Sequence, residues 1–372
     1  MAKKMYIGID NKARRVKKAY IGIDNKARKI KKMYMGVNNV ARCIFGGGEL
    51  TYYGKATALK APRDRGAGAS TTTHAVFAGG YARYDTYSPR STVEAYSTSL
   101  TKVDGGSLLY EMYNLTGISF NGLAVFAGGQ NSSGALRFVA TYDSSLTRTD
   151  RTYLVGLRSK PAAATIGDRL LFAGGKSDNG ASSWVDFFDK SFTRTYAELE
   201  TARYGLAGMD VGGRAVFAGG YLSASNPTNV VESYDSSLTR STITALSVAR
   251  IDLSAAKVSN YAIFAGGSGS NGAVSTVDVY NSSLTRSSPA SALSYARTYM
   301  AAASLTGYAM FVGGYNASYR SEVDAYDESL TKVPADKLNP ARYDAMAATI
   351  GNYAIFAGGS SEISDVDVYQ LS

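Results

Sequence analysis

Ile263-Phe264-Ala265-Gly266-Gly267 is one of seven copies of a short apolar strand that ends in two glycines. The copies begin at Val76, Val125, Leu171, Val216, Ile263, Met310 and Ile355, at steps of 49, 46, 45, 47, 47 and 45 residues. A repeat of this length that contains only short strands is typical of a β-propeller, in which four-stranded blades surround a central axis. The sequence therefore predicts an all-β fold with seven blades.

Two further features keep the spacing of the glycine pairs. An aromatic strand follows each pair, as in Val93-Glu94-Ala95-Tyr96 and Val277-Asp278-Val279-Tyr280, and its alternation of apolar and polar residues indicates a half-buried strand. An arginine precedes the pair by sixteen residues in six units, at Arg63, Arg158, Arg203, Arg250, Arg297 and Arg342. Met112 occupies this position in the second unit. The repeats are therefore expected to share one strand order.

The glycine pairs, the arginines and the strands that end in Tyr142-Asp143, Tyr234-Asp235 and Tyr326-Asp327 resemble kelch repeats over about residues 49–372. The resemblance implies a kelch-like β-propeller. It also implies that the six arginines lie near the mouth of the channel, a position that sometimes touches an acidic ligand in kelch proteins. Two roles stay open for them, hydrogen bonding at the strand entrance and ligand contact. Ser145-Leu146-Thr147-Arg148 and its equivalents replace the tryptophan that kelch units often place after the Tyr-Asp strand.

The two ends of the repeat region predict how the ring closes. The chain stops after Val366-Asp367-Val368-Tyr369, the third strand of the seventh unit, so that unit lacks a fourth strand. Residues 50–59 precede Pro62-Arg63 as residues 336–340 precede Ala341-Arg342, and they supply the missing strand. Pairing of the two ends would remove a free sheet edge, which otherwise invites aggregation.

The loops after the glycine pairs differ between units in length and content. They contain Tyr, Ser, Asn and Gly, a composition found on recognition surfaces, although Gly, Asn and Ser also simply form turns. Aromatic side chains on these loops could stack on sugars or on a protein partner. The candidate ligand-binding residues are Tyr81, Tyr84, Tyr87, Trp184, Tyr221, Tyr315 and Tyr319.

The basic residues of the chain are concentrated at its start. Residues 1–42 carry 13 Lys or Arg and two Asp, for a net charge of +11, whereas the other 330 residues carry a net charge of −1. Three 14-residue units begin at Lys3, Lys17 and Lys31, each with a short strand, a turn signal and a second, basic strand. The sequence thus predicts a small basic β-repeat arm at residues 1–45, before a propeller at residues 46–372.

The arm is expected to serve in docking or oligomerisation, because such small ribbons bury little apolar surface alone. Its candidate docking residues are Lys3, Lys4, Lys17, Lys18, Lys31 and Lys32. An equally simple role for these lysines is a solvated face that blocks edge-to-edge strand pairing. A propeller with such an arm is expected to be a homo-oligomer.

The inventory of reactive residues argues against an enzyme. His74 and Cys43 are the only histidine and cysteine, which excludes sites built from several histidines and any internal disulfide. No pair of carboxylates stands out for hydrolysis. We therefore expect no catalytic residues, no metal and no cofactor. The sequence also lacks an apolar run long enough for a secretory signal or a membrane span, so we expect folding in a cytoplasm without membrane insertion.

The 14-residue units, such as Tyr6-Ile7-Gly8-Ile9-Asp10-Asn11-Lys12-Ala13-Arg14, resemble N-terminal segments of phage and prophage structural proteins of Gram-positive bacteria. The resemblance implies a virion protein assembled in the host cytoplasm, either a tail fibre or receptor-binding protein or a surface decoration. Residues 1–45 would then bind other virion proteins, and the propeller would bind a host surface glycan or protein. A cytoplasmic kelch-type adaptor or lectin is the first alternative. Association with nucleic acid through the basic arm is the second, although the regular, core-like spacing of the arm's aromatic residues argues against it.

Overall fold

The computed structural model describes residues 48–82, 88–222, 226–289, 291–360 and 363–372 with their side chains, and the backbone of six strands within residues 6–45. Every helix or strand assigned in this part of the chain is a β-strand. Among the described residues, no helix is long and apolar enough to cross a membrane. The all-β class predicted from the repeats is therefore confirmed.

The basic segment contains three separate antiparallel hairpins, one for each 14-residue unit. They pair Tyr6–Ile9 with Lys12–Arg15, Ala19–Ile23 with Lys26–Ile30, and Met33–Val37 with Val40–Phe45. The register of the first two hairpins is the same, since Gly8 lies opposite Ala13 and Gly22 opposite Ala27. The predicted docking lysines, Lys3, Lys4, Lys17, Lys18, Lys31 and Lys32, lie outside the described residues.

The glycine-pair repeats each form part of an antiparallel sheet, and we number them as units 1 to 7 in chain order. Units 3 to 6 each contribute four consecutive strands. In unit 3 these are Ala162–Ile166, Arg169–Ala173, Trp184–Phe188 and Arg194–Glu198; in unit 4, Ala207–Val211, Arg214–Ala218, Val231–Tyr234 and Arg240–Ile243. Unit 5 has Ser254–Val258, Tyr261–Ala265, Val277–Tyr280 and Arg286–Ser287, and unit 6 has Ala301–Leu305, Tyr308–Val312, Val323–Asp327 and Lys332–Val333.

Units 1 and 2 share one long strand, Lys102–Phe120, which ends the first sheet and begins the second. The other strands of unit 1 are Ala67–Ser70, His74–Ala78 and Ser88–Ser97, and those of unit 2 are Leu123–Asn131, Val139–Tyr142 and Arg148–Asp150. The sequence repeats predict two separate sheets here. The structure instead continues the strand across the boundary and so joins the two sheets into one.

Unit 7 completes its sheet with a strand from the start of the repeat region. Met346–Ile350, Tyr353–Ala357 and Val366–Leu371 are joined by Leu50–Ala56, with Val366 opposite Ala56 and Leu371 opposite Leu50. This is the pairing predicted from the two chain ends. The hydrogen bonds of the last strand are thereby made within the protein.

Backbone hydrogen bonds join each unit to the next. The second glycine of each pair donates its N–H to the carbonyl of the arginine, or of Met112, in the following unit, and Gly359 of unit 7 donates to Arg63 of unit 1. The donor–acceptor pairs and distances are Gly80 to Met112 (2.9 Å), Gly129 to Arg158 (3.1 Å), Gly175 to Arg203 (3.0 Å), Gly220 to Arg250 (2.9 Å), Gly267 to Arg297 (2.9 Å), Gly314 to Arg342 (2.9 Å) and Gly359 to Arg63 (3.0 Å). Sheets of four antiparallel strands that are linked in this way make the fold β-propeller-like.

The core lies between adjacent sheets. Phe264 of the glycine-pair strand is fully buried, and its ring meets Tyr280 of the aromatic strand edge-on at 5.8 Å. The hydroxyl of Tyr280 donates to the carbonyl of Thr244, at the end of the preceding unit, at 2.7 Å. The equivalent tyrosines Tyr96, Tyr142, Tyr234, Tyr326 and Tyr369 donate in the same way. Each aromatic strand thus packs within its own unit and bonds to the previous one.

We predict that Gly266→Ala destabilises the protein more than Gly307→Ala. Both glycines have positive φ, 59° and 82°, so alanine adds backbone strain of about 1–2 kcal/mol at either position. A Cβ at Gly266 would also lie 2.5 Å from the carbonyl oxygen of Arg297, whereas a Cβ at Gly307 would meet nothing within 4 Å. Overpacking of this kind costs a further ~1–3 kcal/mol.

Urea denaturation of the two variants and the unsubstituted protein measures this difference. Equal losses of unfolding free energy in the two variants would show that the close approach of units 5 and 6 does not contribute to stability.

Candidate functional site

The six repeated arginines lie inside the protein, each paired with a carboxylate of the aromatic strand in its own unit. Their side chains are at most 1% exposed. The pairs are Arg63–Glu94 (2.5 Å), Arg158–Asp186, Arg203–Glu232 (2.5 Å), Arg250–Asp278 (2.8 Å), Arg297–Asp324 (2.8 Å) and Arg342–Asp367 (2.5 Å). Buried guanidinium groups that are held in this way favour the structural role over ligand contact at the channel mouth.

Each buried pair connects three parts of its unit. The guanidinium of Arg297 also donates to the carbonyl of Phe311, and the carboxylate of Asp324 accepts the backbone N–H and the hydroxyl of Ser294. Burial alone would raise the pKa of Asp324, but the charge of Arg297 and the hydrogen bonds from Ser294 outweigh it, so this pKa lies below its usual value. The pair therefore holds the loop before the arginine, the glycine-pair strand and the aromatic strand together.

Unit 2 lacks both partners of this pair. Met112 stands at the arginine position and Ala140 at the carboxylate position, and both are fully buried. If only one of the two charged residues were present, its charge would be buried without a partner, which would lower the stability of the fold. The joint replacement supports a structural role for the pair. In the other six units, the acidic residue that follows the Val of the aromatic strand is the sequence signal that identifies the partner.

The residues two positions after the arginines, or after Met112, form a second repeated set, and five of the seven line a central cavity. We call them the mouth residues: Arg65, Asn114, Lys160, Gly205, Asp252, Tyr299 and Asp344. All seven have a left-handed backbone, with φ between 48° and 67°. Five hydrogen bonds link their backbones from unit to unit, from the N–H of Arg65 to the carbonyl of Asp344 (3.3 Å), Asn114 to Arg65 (2.8 Å), Lys160 to Asn114 (2.7 Å), Asp252 to Gly205 (2.8 Å) and Asp344 to Tyr299 (3.0 Å).

The central cavity has a volume of about 340 Å³ and is lined by residues of all seven units, including Lys160, Gly205, Asp252, Tyr299 and Asp344. Concave sites of this size, with few polar groups that converge on one space, are where proteins bind small ligands. The structure thus brings together at one place side chains that lie 45–49 residues apart in sequence.

Two carboxyl groups in this cavity are electrostatically unusual. Burial raises the pKa of Asp252, against the opposing charge of Lys160 and a hydrogen bond from Tyr299. Burial also raises the pKa of Asp344, and the negative charge of Asp64 adds to that shift while Lys160 and Arg65 oppose it. The Arg65 Nε lies 3.6 Å from Asp344 Oδ2, and the Lys160 ammonium lies 5.2 Å from the centre of the Tyr299 ring.

Tyr299 lines this cavity, and further tyrosines form ring contacts with it or lie at positions next to the mouth residues. Tyr343 lies 6.1 Å from Tyr299 and 5.3 Å from both Tyr315 and Tyr319, measured between ring centres. We call these four rings the tyrosine cluster. Two further pairs are Tyr81 with Tyr113 at 4.9 Å and Tyr204 with Tyr221 at 5.4 Å. Four of the predicted loop residues, Tyr81, Tyr221, Tyr315 and Tyr319, therefore pack against aromatic residues next to the mouth positions.

The remaining predicted residues are placed differently. Trp184 begins the third strand of unit 3, and its ring meets that of Tyr196 on the fourth strand edge-on at 5.4 Å. Among the described residues, this ring contact does not involve the tyrosine cluster. Tyr84 and Tyr87 lie outside the described residues. Tyr113, Tyr204 and Tyr343 directly follow Met112, Arg203 and Arg342, and neither they nor the mouth residues beyond them were among the predicted site residues. The sequence signal that could have identified them is that the residue type changes from unit to unit at a fixed distance after the repeated arginine.

Comparisons with known proteins bear on the fold alone. No family model matches the chain, and no curated protein matches it. Among solved structures, that of YjhT is similar, with a TM-score of 0.60 and 14% sequence identity, over 75% of this chain and 99% of that one. The likeness supports the propeller-like architecture.

We predict that Arg158→Met or Asp186→Ala alone lowers the free energy of unfolding by about 3–5 kcal/mol, because each leaves a buried charge without its main partner. The double variant reproduces Met112 and Ala140 of unit 2, and we expect it to recover most of this loss. Urea denaturation of the three variants forms a double-mutant cycle. Losses that simply add would show that the two groups do not act as a pair.

Proposed function

We propose that this protein binds a ligand on the surface of a host cell through one face of a seven-bladed β-propeller, and that residues 1–45 attach the propeller to a virion. In this proposal each of the seven units is one blade of a closed ring. The proposal is supported by the glycine-to-carbonyl bonds, which run from every unit to the next and from Gly359 back to Arg63.

One observation carries the binding role, the set of mouth residues. Seven equivalent positions in the repeats hold five different polar side chain types and one glycine, and five of these positions line one cavity. The neighbouring buried arginines, by contrast, are the same in six units. A residue that serves only the structure of the repeat is expected to be the same in every unit. Variation among the residues that line the cavity is what recognition of an asymmetric ligand requires.

The chemistry around the cavity suits a glycan with many hydroxyl groups, or a protein loop. Tyr221, Tyr315 and Tyr319 offer flat rings for stacking, and their phenol groups and the nearby carboxylates can hydrogen-bond to hydroxyls. Tyrosine adds contact area at a low entropy cost. We propose binding without catalysis, and no metal or cofactor takes part in it.

The hairpins of residues 6–45 support an attachment role in this proposal. Each hairpin has only two strands, and isolated two-stranded hairpins are marginally stable in water. Contact with another virion protein, or with copies of the same chain, would supply the missing packing. A net charge of +11 on residues 1–42 favours an acidic docking surface.

We predict that Tyr221→Ala and Tyr315→Ala each weaken binding of the labelled protein to host cells at least tenfold, because each removes a ring beside the cavity. The melting temperature should change little, since both rings reach solvent. Tyr53→Ala is the matched control, because Tyr53 is 51% exposed on the strand that completes unit 7. Unchanged cell binding in both variants would place the ligand site elsewhere.

Immunogold electron microscopy tests the virion assignment, with antibody against residues 49–372 on particles from a lysate of the source. We expect label on the particles, at a tail tip for receptor binding or over the capsid for decoration. Unlabelled particles beside abundant free protein would overturn the assignment and favour a cytoplasmic binding module.

A further inference from the structure

The mouth residues adopt a backbone that glycine prefers, yet six of the seven are not glycine. Gly205 shows that unit 4 uses the residue with the lowest strain. A left-handed backbone costs other residues about 1–2 kcal/mol, less for Asn and Asp, so Arg65, Lys160 and Tyr299 carry a real penalty. Strain of this kind concentrates at functional sites.

Another repeated left-handed position shows what a purely structural cause looks like. Leu100, Leu146, Phe192, Leu238, Leu284 and Leu330 have φ between 59° and 65° in the turn after each aromatic strand. All six are large apolar residues that pack against the core. The mouth residues have the same left-handed backbone, but their side chains differ in type from unit to unit. Core packing therefore does not explain why this backbone is kept at the mouth positions.

The charges at the cavity favour a cation. Asp252, Asp344 and Lys160 line the cavity, and Asp64 and Arg65 adjoin Asp344, so these five groups carry a net charge of −1 when all are ionised. Asp64 is buried and contributes to the electrostatics of Asp344, and Arg65 lies beside both of them. Tyr299 adds the face of an aromatic ring, which attracts cations.

Lys160 already places an ammonium group in this environment. It belongs to unit 3, yet its ammonium lies over the ring of Tyr299 in unit 6, and its charge acts on both Asp252 and Asp344. Within the described residues it forms no ion pair shorter than 4.0 Å. The ammonium is therefore held by a ring and two nearby carboxyl groups without a close ion pair that would fix it there.

We propose that the central cavity binds an organic ammonium group, which replaces the Lys160 ammonium beside Asp252, Tyr299 and Asp344. This inference rests on the proposed binding function and names the ligand chemistry for it. The ammonium group belongs to an amino sugar or to a choline-type head group. The tyrosine cluster extends from Tyr299 and provides stacking surface for the rest of the ligand.

Isothermal titration calorimetry on the full chain tests this proposal with D-glucosamine, choline and N-acetyl-D-glucosamine. The acetylated sugar has the same ring without the ammonium charge and is the matched control ligand. We expect glucosamine or choline to bind at least tenfold more tightly than N-acetylglucosamine, and the stronger of the two amines identifies the source. Equal or tighter binding of the acetylated sugar would overturn the proposal.

Variants of the cavity provide the second arm. Lys160→Gly copies Gly205, so its backbone is compatible with the fold, and removal of the internal ammonium should strengthen amine binding at least tenfold. Asp252→Asn in the Lys160→Gly background should weaken it at least tenfold, whereas Asp168→Asn, at an exposed turn, should not change it. A Lys160→Gly variant that binds neither amine more tightly than the unsubstituted protein would overturn the proposal.

Cell binding separates this inference from the proposed function. If labelled protein binds host cells and neither amine competes, the ammonium site is wrong and surface binding stands. If the amines bind but the protein does not bind host cells, the site stands and the host-cell function is wrong.

Discussion

The contact between each glycine pair and the next unit is the constraint on which the rest of the fold depends. The second glycine donates to a carbonyl of the neighbouring unit, and the first lies so close to that carbonyl that a Cβ would overlap it, as with Gly219 and Arg250 at 2.6 Å. Units can approach to this distance only because the first residue lacks a side chain, whereas a Cβ on the second would meet its own unit, as at Gly175 and the carbonyl oxygen of Ser159 (2.8 Å). The glycines therefore set the spacing between sheets, and with it the size of the central cavity.

The buried arginine pairs fix the position of the segment that precedes the first strand of each sheet. A guanidinium can donate to a carboxylate and to a backbone carbonyl at the same time, so it connects the segment that carries the arginine to two paired strands of the same unit, as Arg297 does with Phe311 and Asp324. Met112 and Ala140 show that apolar residues can take over in one unit. A buried ion pair is therefore a means to fix geometry rather than a large source of stability.

Repetition made much of the fold predictable, because seven glycine pairs and aromatic strands report the same local structure seven times. The two chain ends likewise predicted the pairing of Leu50–Ala56 with Val366–Leu371. The candidate site was harder to predict, because its residues are the ones that do not recur between units. Arg203 recurs and is buried, whereas the next two residues, Tyr204 and Gly205, differ between units, and Gly205 lines the cavity. Which positions between residues 65 and 344 converge depends on how the units are arranged in space, which no local pattern contains.

The strand that completes unit 7 is also the first strand of the repeat region that the chain enters from residues 1–45. Tension applied through that segment reaches Leu50 first and acts on the ladder between Leu50–Ala56 and Val366–Leu371. That ladder joins the two ends of the repeat region, whereas the strands of each other sheet come from one continuous stretch of the chain. A pull from the N-terminal side therefore loads this strand pair before any other sheet.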